Sequence, residues 1–233
     1  MRRRHHRSIL RFVIPVLLAL SGASWTAACQ PAPEGLLDDS PSEFEELEAA
    51  QQTVELEAVD YGLLAEAVFH ETNVRRAENG AEPLVHMVAL DRAACGHAEA
   101  MVELDFFSHR HPSDEDLATP AKRVRVQGLQ FAFVAENIGQ VFALRYQAGE
   151  PVHVRSEGER TVFSREPGGE PLWPRSYLET ARTLLDSWMG SEGHRANILS
   201  QEPERFGSGC ELGRADELDM PMFHCVQLYF TPL

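Results

Sequence analysis

Apolar residues recur at helical spacing in three segments of this chain. They predict a helix that ends near residue 78, a second over about 90–104, and a third over 176–189. The third begins with Ser176 and Glu179, the S-x-x-E spacing of a capping box, in which each side chain bonds the other residue's backbone N–H. Helices are therefore expected in both halves of the chain.

Shorter apolar or alternating segments predict strands at 131–134, 206–212 and 222–230. The last strand alternates, with Val226, Leu228 and Phe230 on one face and Cys225, Gln227 and Tyr229 on the other. Helices followed by strands, with a long helix between the strands, predict an α+β layered domain. Residues 140–175 are rich in Gly and Pro around a short β-like piece, which predicts an inserted hairpin or loop.

The N-terminus has the layout of a secretory signal. Residues 1–28 contain five Arg, then an apolar run from Phe12 through Leu20, then small residues. The string from Thr26 to Cys29 resembles a bacterial lipobox, although Thr26 stands where an aliphatic residue is usual. Two outcomes stay open: lipidation at Cys29, which would give a cell-envelope lipoprotein in contact with the membrane, or ordinary cleavage near Ala28, which would release a secreted protein.

Charge and composition divide the rest of the chain. The formal net charge is −15, and removal of the five Arg in residues 1–28 would take it to about −20. Such an acidic chain lacks the basic surface of a nucleic-acid-binding protein. Residues 29–55 are expected to form a disordered acidic tether, and residues 56–233 the folded domain, interrupted by the 140–175 insertion.

We expect three different roles for the four cysteines. Cys29 belongs to the processing signal. Cys210 and Cys225 flank a turn-rich segment and could form a disulfide in an exported protein. Cys95 is then left over on a predicted helix, where we expect a buried small residue.

Three clusters carry ionisable side chains at breaks between elements. They are Phe106 to His109, Ala135 to Gly139, and Ser191 to Leu199. Each could be structural when taken alone: a helix-capping histidine, a carboxylate that accepts backbone hydrogen bonds, and a loop histidine. Together, His109, Glu136 and His194 could bind a divalent metal with an open coordination position, or act as an acid/base set.

The order of these clusters resembles the bacterial branch of the CAP superfamily (SCP/PR-1-like proteins). The strings are FSH, ENI, and the nearly complete W-x(2)-S-x-G-H-R-x-N-I-L from Trp188 to Leu199. Upstream, Asn73 to Leu84 fits N-x-x-R-x-x-x-G-x-x-P-L, and His97 to Met101 fits H-A-x-x-M. The resemblance covers about residues 60–233 and implies an α-β-α sandwich with a central antiparallel sheet.

The resemblance also implies a cleft, which holds two His and two Glu in the better-known eukaryotic members. His109 matches the first His, Glu136 the first Glu and His194 the second His. Ser191 stands at the second Glu position with Glu192 beside it, so the cleft is expected to be a triad, with Glu192 a further candidate.

We expect structural roles for the other side chains near these motifs. His97 is expected to be a packing histidine, and His111 to be exposed. Arg195 and Asn197 are expected to hold the loop shape, and Trp188 to lie in the core.

Three functions are compatible with this sequence. The favoured one is a non-catalytic binding module, in which His109 and His194 hold Zn²⁺ or another divalent cation and the ligand is a lipid, a glycan or a partner protein. The second is a His/Glu- or metal-dependent hydrolase such as a peptidase, although Ser191 lies in no G-x-S-x-G elbow and the chain has no H-E-x-x-H motif. The third is a surface interaction protein that acts through the insertion and the tether.

Overall fold

The computed structural model describes residues 29, 44, 48–158, 160–215 and 218–233. The predicted signal segment 1–28 lies outside these residues. The helices are α1 Glu48–Gln51, α2 Tyr61–Glu78, α3 Val88–Glu103, α4 Pro120–Val126, α5 Tyr177–Gly190 and α6 Glu192–Leu199. The strands are β1 Val85–His86, β2 Phe131–Phe142, β3 His153–Glu157, β4 Arg160–Ser164, β5 Arg205–Arg214 and β6 Pro221–Pro232. No helix in the described part of the chain is long and apolar enough to cross a membrane.

Four of the strands form the central sheet in the order β1-β5-β6-β2. The β5–β6 and β6–β2 pairs are antiparallel, and the two-residue β1 joins β5 in parallel. Strand β6 alternates as predicted: Val226, Leu228 and Phe230 join a core that includes residues of α3, whereas Phe223, Cys225 and Tyr229 join a core with α2 and α5. Helices thus cover both faces of the sheet, which confirms the α+β class and the α-β-α sandwich.

Helix α3 packs closely on β5 because glycines leave room for its backbone. A Cβ atom at Gly207 would lie 2.4 Å from the Cβ of Leu90, and one at Gly209 would lie 2.5 Å from the amide N of Cys95. Any side chain at these positions would therefore push the helix off the sheet. This contact sets how closely α3 lies on the sheet, and the site begins in the loop that follows the helix.

The domain begins earlier than the predicted boundary at residue 56. Helix α1 lies within the segment expected to be a disordered tether, and Ala50 and Val54 are buried in the core. Phe44 is also buried, with its ring 5.0 Å from that of His70. The expectation was wrong for these residues because apolar side chains within an acidic stretch can still pack on the domain.

The insertion folds as the predicted hairpin. Strands β3 and β4 pair antiparallel from His153↔Ser164 to Glu157↔Arg160, outside the main sheet. A small separate core lies beneath them, built from Leu144, Tyr146, Phe163, Leu172 and Met220. A cavity of about 990 Å³ opens beside this hairpin, and its lining includes Val162, Trp173 and Leu212.

Both cysteine pairs of the described chain are disulfides. Cys210 and Cys225 are direct register partners in β5 and β6 and are bonded to each other, as the sequence suggested. Cys95 is bonded to Cys29. The expectation that Cys95 is an unpaired buried residue was therefore wrong, because the folded chain brings a cysteine 66 positions away beside it.

Candidate functional site

Three different elements position the site residues. The chain leaves α3 through Asp105, whose φ of 51° is left-handed, and the following loop carries His109. Glu136 lies in the middle of β2, and His194 lies in the first turn of α6. The fold brings these predicted residues together beside β2, an edge strand of the sheet, although 85 positions separate the two histidines in the sequence.

Glu136 is the centre of the site, and both of its carboxylate oxygens have partners. His109 Nδ1 lies 2.9 Å from Oε1, and Arg123 Nη2 lies 2.5 Å from Oε2. The Glu136 side chain is 1% exposed and that of Arg123 is 3% exposed. A buried carboxylate held by an arginine on one side and an imidazole on the other serves to orient its neighbours.

Arg123 is a site residue that the sequence did not reveal. It lies on α4, whose first turn is capped by the Thr119 hydroxyl accepting from the Lys122 amide. Its guanidinium also donates to the carbonyls of Leu117, at 2.9 Å, and His109, at 3.2 Å. It therefore holds the His109 loop and the Glu136 carboxylate together. The sequence of α4 does not show that Arg123 is the buried basic residue, because Lys122 and Arg125 are its close neighbours.

The contact with Glu136 determines the orientation of His109. A carboxylate can only accept, so the His109 Nδ1 must carry the proton in this bond. In the neutral ring, Nε2 then has a free lone pair. The His109 side chain is 52% exposed. A histidine whose second nitrogen donates to a carboxylate is the usual arrangement of a metal-binding imidazole, and also of a catalytic base.

The second histidine is electrostatically coupled to the first. Burial lowers the pKa of His194, and the nearby charge of His109 lowers it further. Both effects favour the neutral ring, which is the form that binds a metal or accepts a proton. The His194 carbonyl accepts from the Asn137 side chain at 3.2 Å, which ties α6 to the strand that bears Glu136.

A buried polar network supports the site from below. The Asn197 side chain donates to Asn137 Oδ1 at 2.8 Å and to the Glu136 carbonyl at 3.3 Å. Asn137 in turn donates to Gln227 Oε1 at 3.1 Å, and the Tyr229 hydroxyl donates to the same oxygen at 2.7 Å. Asn137, Gln227 and Tyr229 are fully buried. Because the bonds among Asn137, Gln227 and Tyr229 are buried, and the half-buried Asn197 joins α6 to them, the network gives the strand and helix one defined arrangement.

The other motif residues are structural. Trp188 is buried and donates from Nε1 to the Ile138 carbonyl at 2.9 Å. The buried Arg76 donates to the carbonyls of Ile198, at 2.6 Å, and Ser200, at 2.7 Å, which satisfies the C-terminal end of α6. The long sequence motif therefore specifies the support of the site more than its chemistry.

The remaining candidates lie apart from the three central residues. Glu192 is exposed at the start of α6, and no hydrogen bond between described residues joins it to His109, Glu136 or His194. His97 is a buried packing histidine, as expected, and donates from Nε2 to the Ser108 carbonyl at 2.9 Å. His111 was expected to be exposed, but it is buried and its Nδ1 accepts from the Asp114 amide at 3.0 Å.

Within the described ranges of the chain, the site does not contain a complete set of protein metal ligands. The described residues contain no group of three or more His, Cys, Asp and Glu side chains placed to hold a metal ion. Two imidazoles could hold a cation only if water or a ligand completed its shell. The cavity beside the hairpin is lined by other residues and is separate from this site.

The same residues lie within a family match. The sequence model of a protein family, described as the cysteine-rich secretory protein family (CAP), matches residues 69–229. The chain belongs to this family. His109, Glu136 and His194 all fall within the matched part of this CAP protein. No curated protein matches the chain.

Three solved structures are similar to this CAP protein. One is an extracellular protein containing an SCP domain from Bacillus anthracis, with 20% identity and a TM-score of 0.45, over 73% of this chain and 41% of that one. Another is an outer surface protein from Borrelia burgdorferi, with 13% identity and a TM-score of 0.45, over 71% and 90%. A third is a cysteine-rich secretory protein from Staphylococcus aureus, with 15% identity and a TM-score of 0.41, over 74% and 40%. The chain thus spans about two fifths of the Bacillus and Staphylococcus proteins.

Proposed function

We propose that this CAP protein is an exported, non-catalytic binding module that holds a divalent cation such as Zn²⁺ between His109 and His194. One observation carries the proposal: the bond from His109 Nδ1 to the buried Glu136 leaves the His109 Nε2 lone pair free. Glu136 would act behind the ligand, because both of its oxygens are already engaged. Zn²⁺ prefers tetrahedral nitrogen and oxygen ligands, and the described chain offers only the two imidazoles.

The two remaining coordination positions of the cation would allow it to bind a ligand. A cation held by two histidines binds weakly by itself, and it keeps positions for water or for a donor from another molecule. We propose that a carboxylate, phosphate or similar oxygen donor of a lipid, glycan or protein ligand completes the shell. The cation would then act as a bridge, and the half-exposed His109 ring would allow a large ligand to approach.

The alternative function is hydrolysis, and the Glu136–His109 pair is what favours it. A carboxylate that orients a histidine is two thirds of a nucleophile-activating triad. The third member is the difficulty, because the Ser108 hydroxyl accepts from the Arg110 amide at 3.1 Å, and no hydrogen bond among the described residues joins Ser108 or Ser191 to His109. Catalysis would therefore need water as the nucleophile.

Calorimetry on the mature protein tests the cation proposal. Zn²⁺ titrated at about pH 7.5 should bind, and binding should weaken at about pH 5, because imidazole ligands must be deprotonated. His109→Ala and His194→Ala should each lower the affinity at least about tenfold. His153→Ala, which changes an exposed histidine of the hairpin, is the matched control and should bind as the wild type does. Equal affinity in all four proteins would rule out the site.

Hydrolysis is tested separately with the same variants. A panel of peptide and ester substrates should show no turnover by the wild type above that of His109→Ala. Turnover that requires His109 would favour the alternative instead, and its loss or survival on removal of divalent metal would show whether the hydrolase uses a metal.

A further inference from the structure

The backbone N–H of Cys29 points into a group of acidic side chains. It donates to Glu211 Oε2 at 2.9 Å, and the Tyr61 hydroxyl donates to Glu211 Oε1 at 3.2 Å. Cys29 is 6% exposed and is held in place by its disulfide to Cys95 on α3. One covalent bond and one hydrogen bond therefore fix the position of this backbone nitrogen.

No lysine or arginine among the described residues forms an ion pair with this acidic group. Glu99 and Glu103 follow Cys95 on α3 at intervals of four, so they lie on the same helix face. Burial raises the pKa of Glu211, and the charges of Glu99 and Glu103 raise it further. The hydrogen bonds from Cys29 and Tyr61 lower this pKa and so act in the opposite direction. Among the ion pairs of the described residues, none joins a lysine or arginine to these three carboxylates. His224 is the register partner of Glu211, and its ring nitrogens lie 3.4 and 3.5 Å from Gln140 Nε2.

We propose that Cys29 is the N-terminal residue of the mature protein, that its thiol is disulfide-bonded instead of lipidated, and that its α-ammonium group forms an ion pair with Glu211. Hydrolysis of the Ala28–Cys29 peptide bond adds one water, and leaves a carboxylate on Ala28 and an amine on Cys29 that takes up a proton. A cation is thus generated at the atom that already contacts Glu211.

The disulfide decides between the two outcomes that the sequence leaves open. A lipid thioether and a disulfide both require the Sγ atom of Cys29, so one molecule can carry only one of them. Forming the disulfide removes two electrons and two protons from the thiols, which an oxidising thiol–disulfide exchange protein outside the cytoplasm would accept. The small residues Ala27 and Ala28 suit cleavage at this bond in either case. The inference is independent of the cation site.

Peptide mapping of the exported protein tests the processing. The protein is produced from the full chain in an exporting bacterial host, digested without reduction and analysed by mass spectrometry. The expected result is a peptide beginning at Cys29 that is joined to the Cys95 peptide and released by reduction. A diacylglyceryl mass on Cys29, a free Cys95 thiol, or a mature N-terminus at another residue would each overturn the proposal.

A double-variant cycle tests the ion pair. One protein begins at Cys29 and a second has a single alanine before it, which converts the ammonium into a neutral peptide N–H. Each is made with Glu211 and with Glu211→Gln, and unfolding equilibria are measured under oxidising conditions. The added alanine should raise the unfolding constant about threefold or more with Glu211, and much less with Glu211→Gln.

The control for this cycle is Glu202→Gln, which changes an exposed glutamate. The added alanine should have its full effect in that background. If the effect of the alanine is the same with Glu211, Glu211→Gln and Glu202→Gln, no pairing exists between the N-terminus and Glu211. Should Glu211→Gln fail to fold, acylation of the Cys29 amine decides the matter, since an amine paired with Glu211 should react several-fold more slowly in the folded protein than in the unfolded one.

Discussion

Arg123 Nη2 lies 2.5 Å from Glu136 Oε2, and this buried pair anchors the site. The two side chains are 3% and 1% exposed, so neither charge is solvated by bulk water. Arg123 comes from α4 and Glu136 from β2, and their contact joins the loop that bears His109 to the central sheet. Removing one partner would leave the other buried without its counter-charge.

Glu136→Gln should therefore destabilise the fold. The substitution keeps the shape of the side chain but removes the charge opposite Arg123, and we expect a loss of about 3–5 kcal/mol in the free energy of unfolding. Urea denaturation followed by circular dichroism measures it. Glu192→Gln is the matched control, because Glu192 is an exposed glutamate at the start of α6 and its replacement should have little effect.

A second pair of substitutions separates charge burial from packing. Replacing both partners, as Arg123→Met with Glu136→Leu, leaves no unpaired buried charge and should cost less than the sum of the two single changes. Additive losses, or a Glu136→Gln variant as stable as its control, would contradict the role given to this pair.

The sequence patterns and the family resemblance predicted the fold, and they selected three residues that the structure brings together, but they did not reveal the residues that hold these three in place. Alternation in β6 predicted which side chains face each helical layer, since period two is a local property. Arg123 could not be predicted because three basic residues lie within α4, and only the docking of that helix decides which one is buried. The partner of Cys95 could not be predicted either, because a pairing across 66 residues depends on the tertiary fold.

Acidification should destabilise the protein through His97. Burial lowers the pKa of His97 to about 4, and the nearby charge of Arg123 contributes to the shift. The unfolded chain therefore binds a proton more readily than the folded one between about pH 6.5 and pH 4. This contribution to stability is present above pH 6.5 and is lost progressively as the pH falls through that window.

The variant His97→Gln isolates this effect. Its amide can still donate to the Ser108 carbonyl, but it does not titrate. The free energy of unfolding should fall less steeply between about pH 6.5 and pH 4 than in the wild type, as measured by urea denaturation at several pH values. His153→Gln, at an exposed position, should keep the wild-type slope. Parallel profiles for the wild type and His97→Gln would show that His97 has no such role.

Gly207→Ala should weaken the contact between α3 and the sheet. The added Cβ would lie 2.4 Å from the Leu90 Cβ and 2.5 Å from the Asp91 amide N, so the helix must move away. Overpacking of this kind costs about 1–3 kcal/mol. Gly190→Ala is the control, because Gly190 is also in regular structure but a Cβ there meets nothing within 4 Å. Thermal unfolding should show a lower Tm for the first variant and no decrease for the second.

Asn197→Ala should weaken cation binding without removing a ligand. Asn197 joins α6 to β2 through its bonds to Asn137 Oδ1 and the Glu136 carbonyl, and α6 carries His194. Loss of these bonds would let His194 move relative to His109, and supporting residues of this kind are worth about tenfold in metal affinity. The buried Asn137 would also lose a partner, which costs about 1–3 kcal/mol of stability.

The matched control for this last change is Arg195→Ala, on the same short helix. Arg195 is exposed and its guanidinium donates to the Met189 carbonyl at 3.2 Å, so it does not join α6 to β2. Zn²⁺ calorimetry should give wild-type affinity for Arg195→Ala and about tenfold weaker binding for Asn197→Ala. A destabilised Asn197→Ala protein that still binds Zn²⁺ as tightly as the wild type would mean that the polar network supports the fold but does not position His194. If neither protein nor the wild type binds Zn²⁺, the cation proposal itself is wrong, and the stability loss in Asn197→Ala remains as the independent measure of the network.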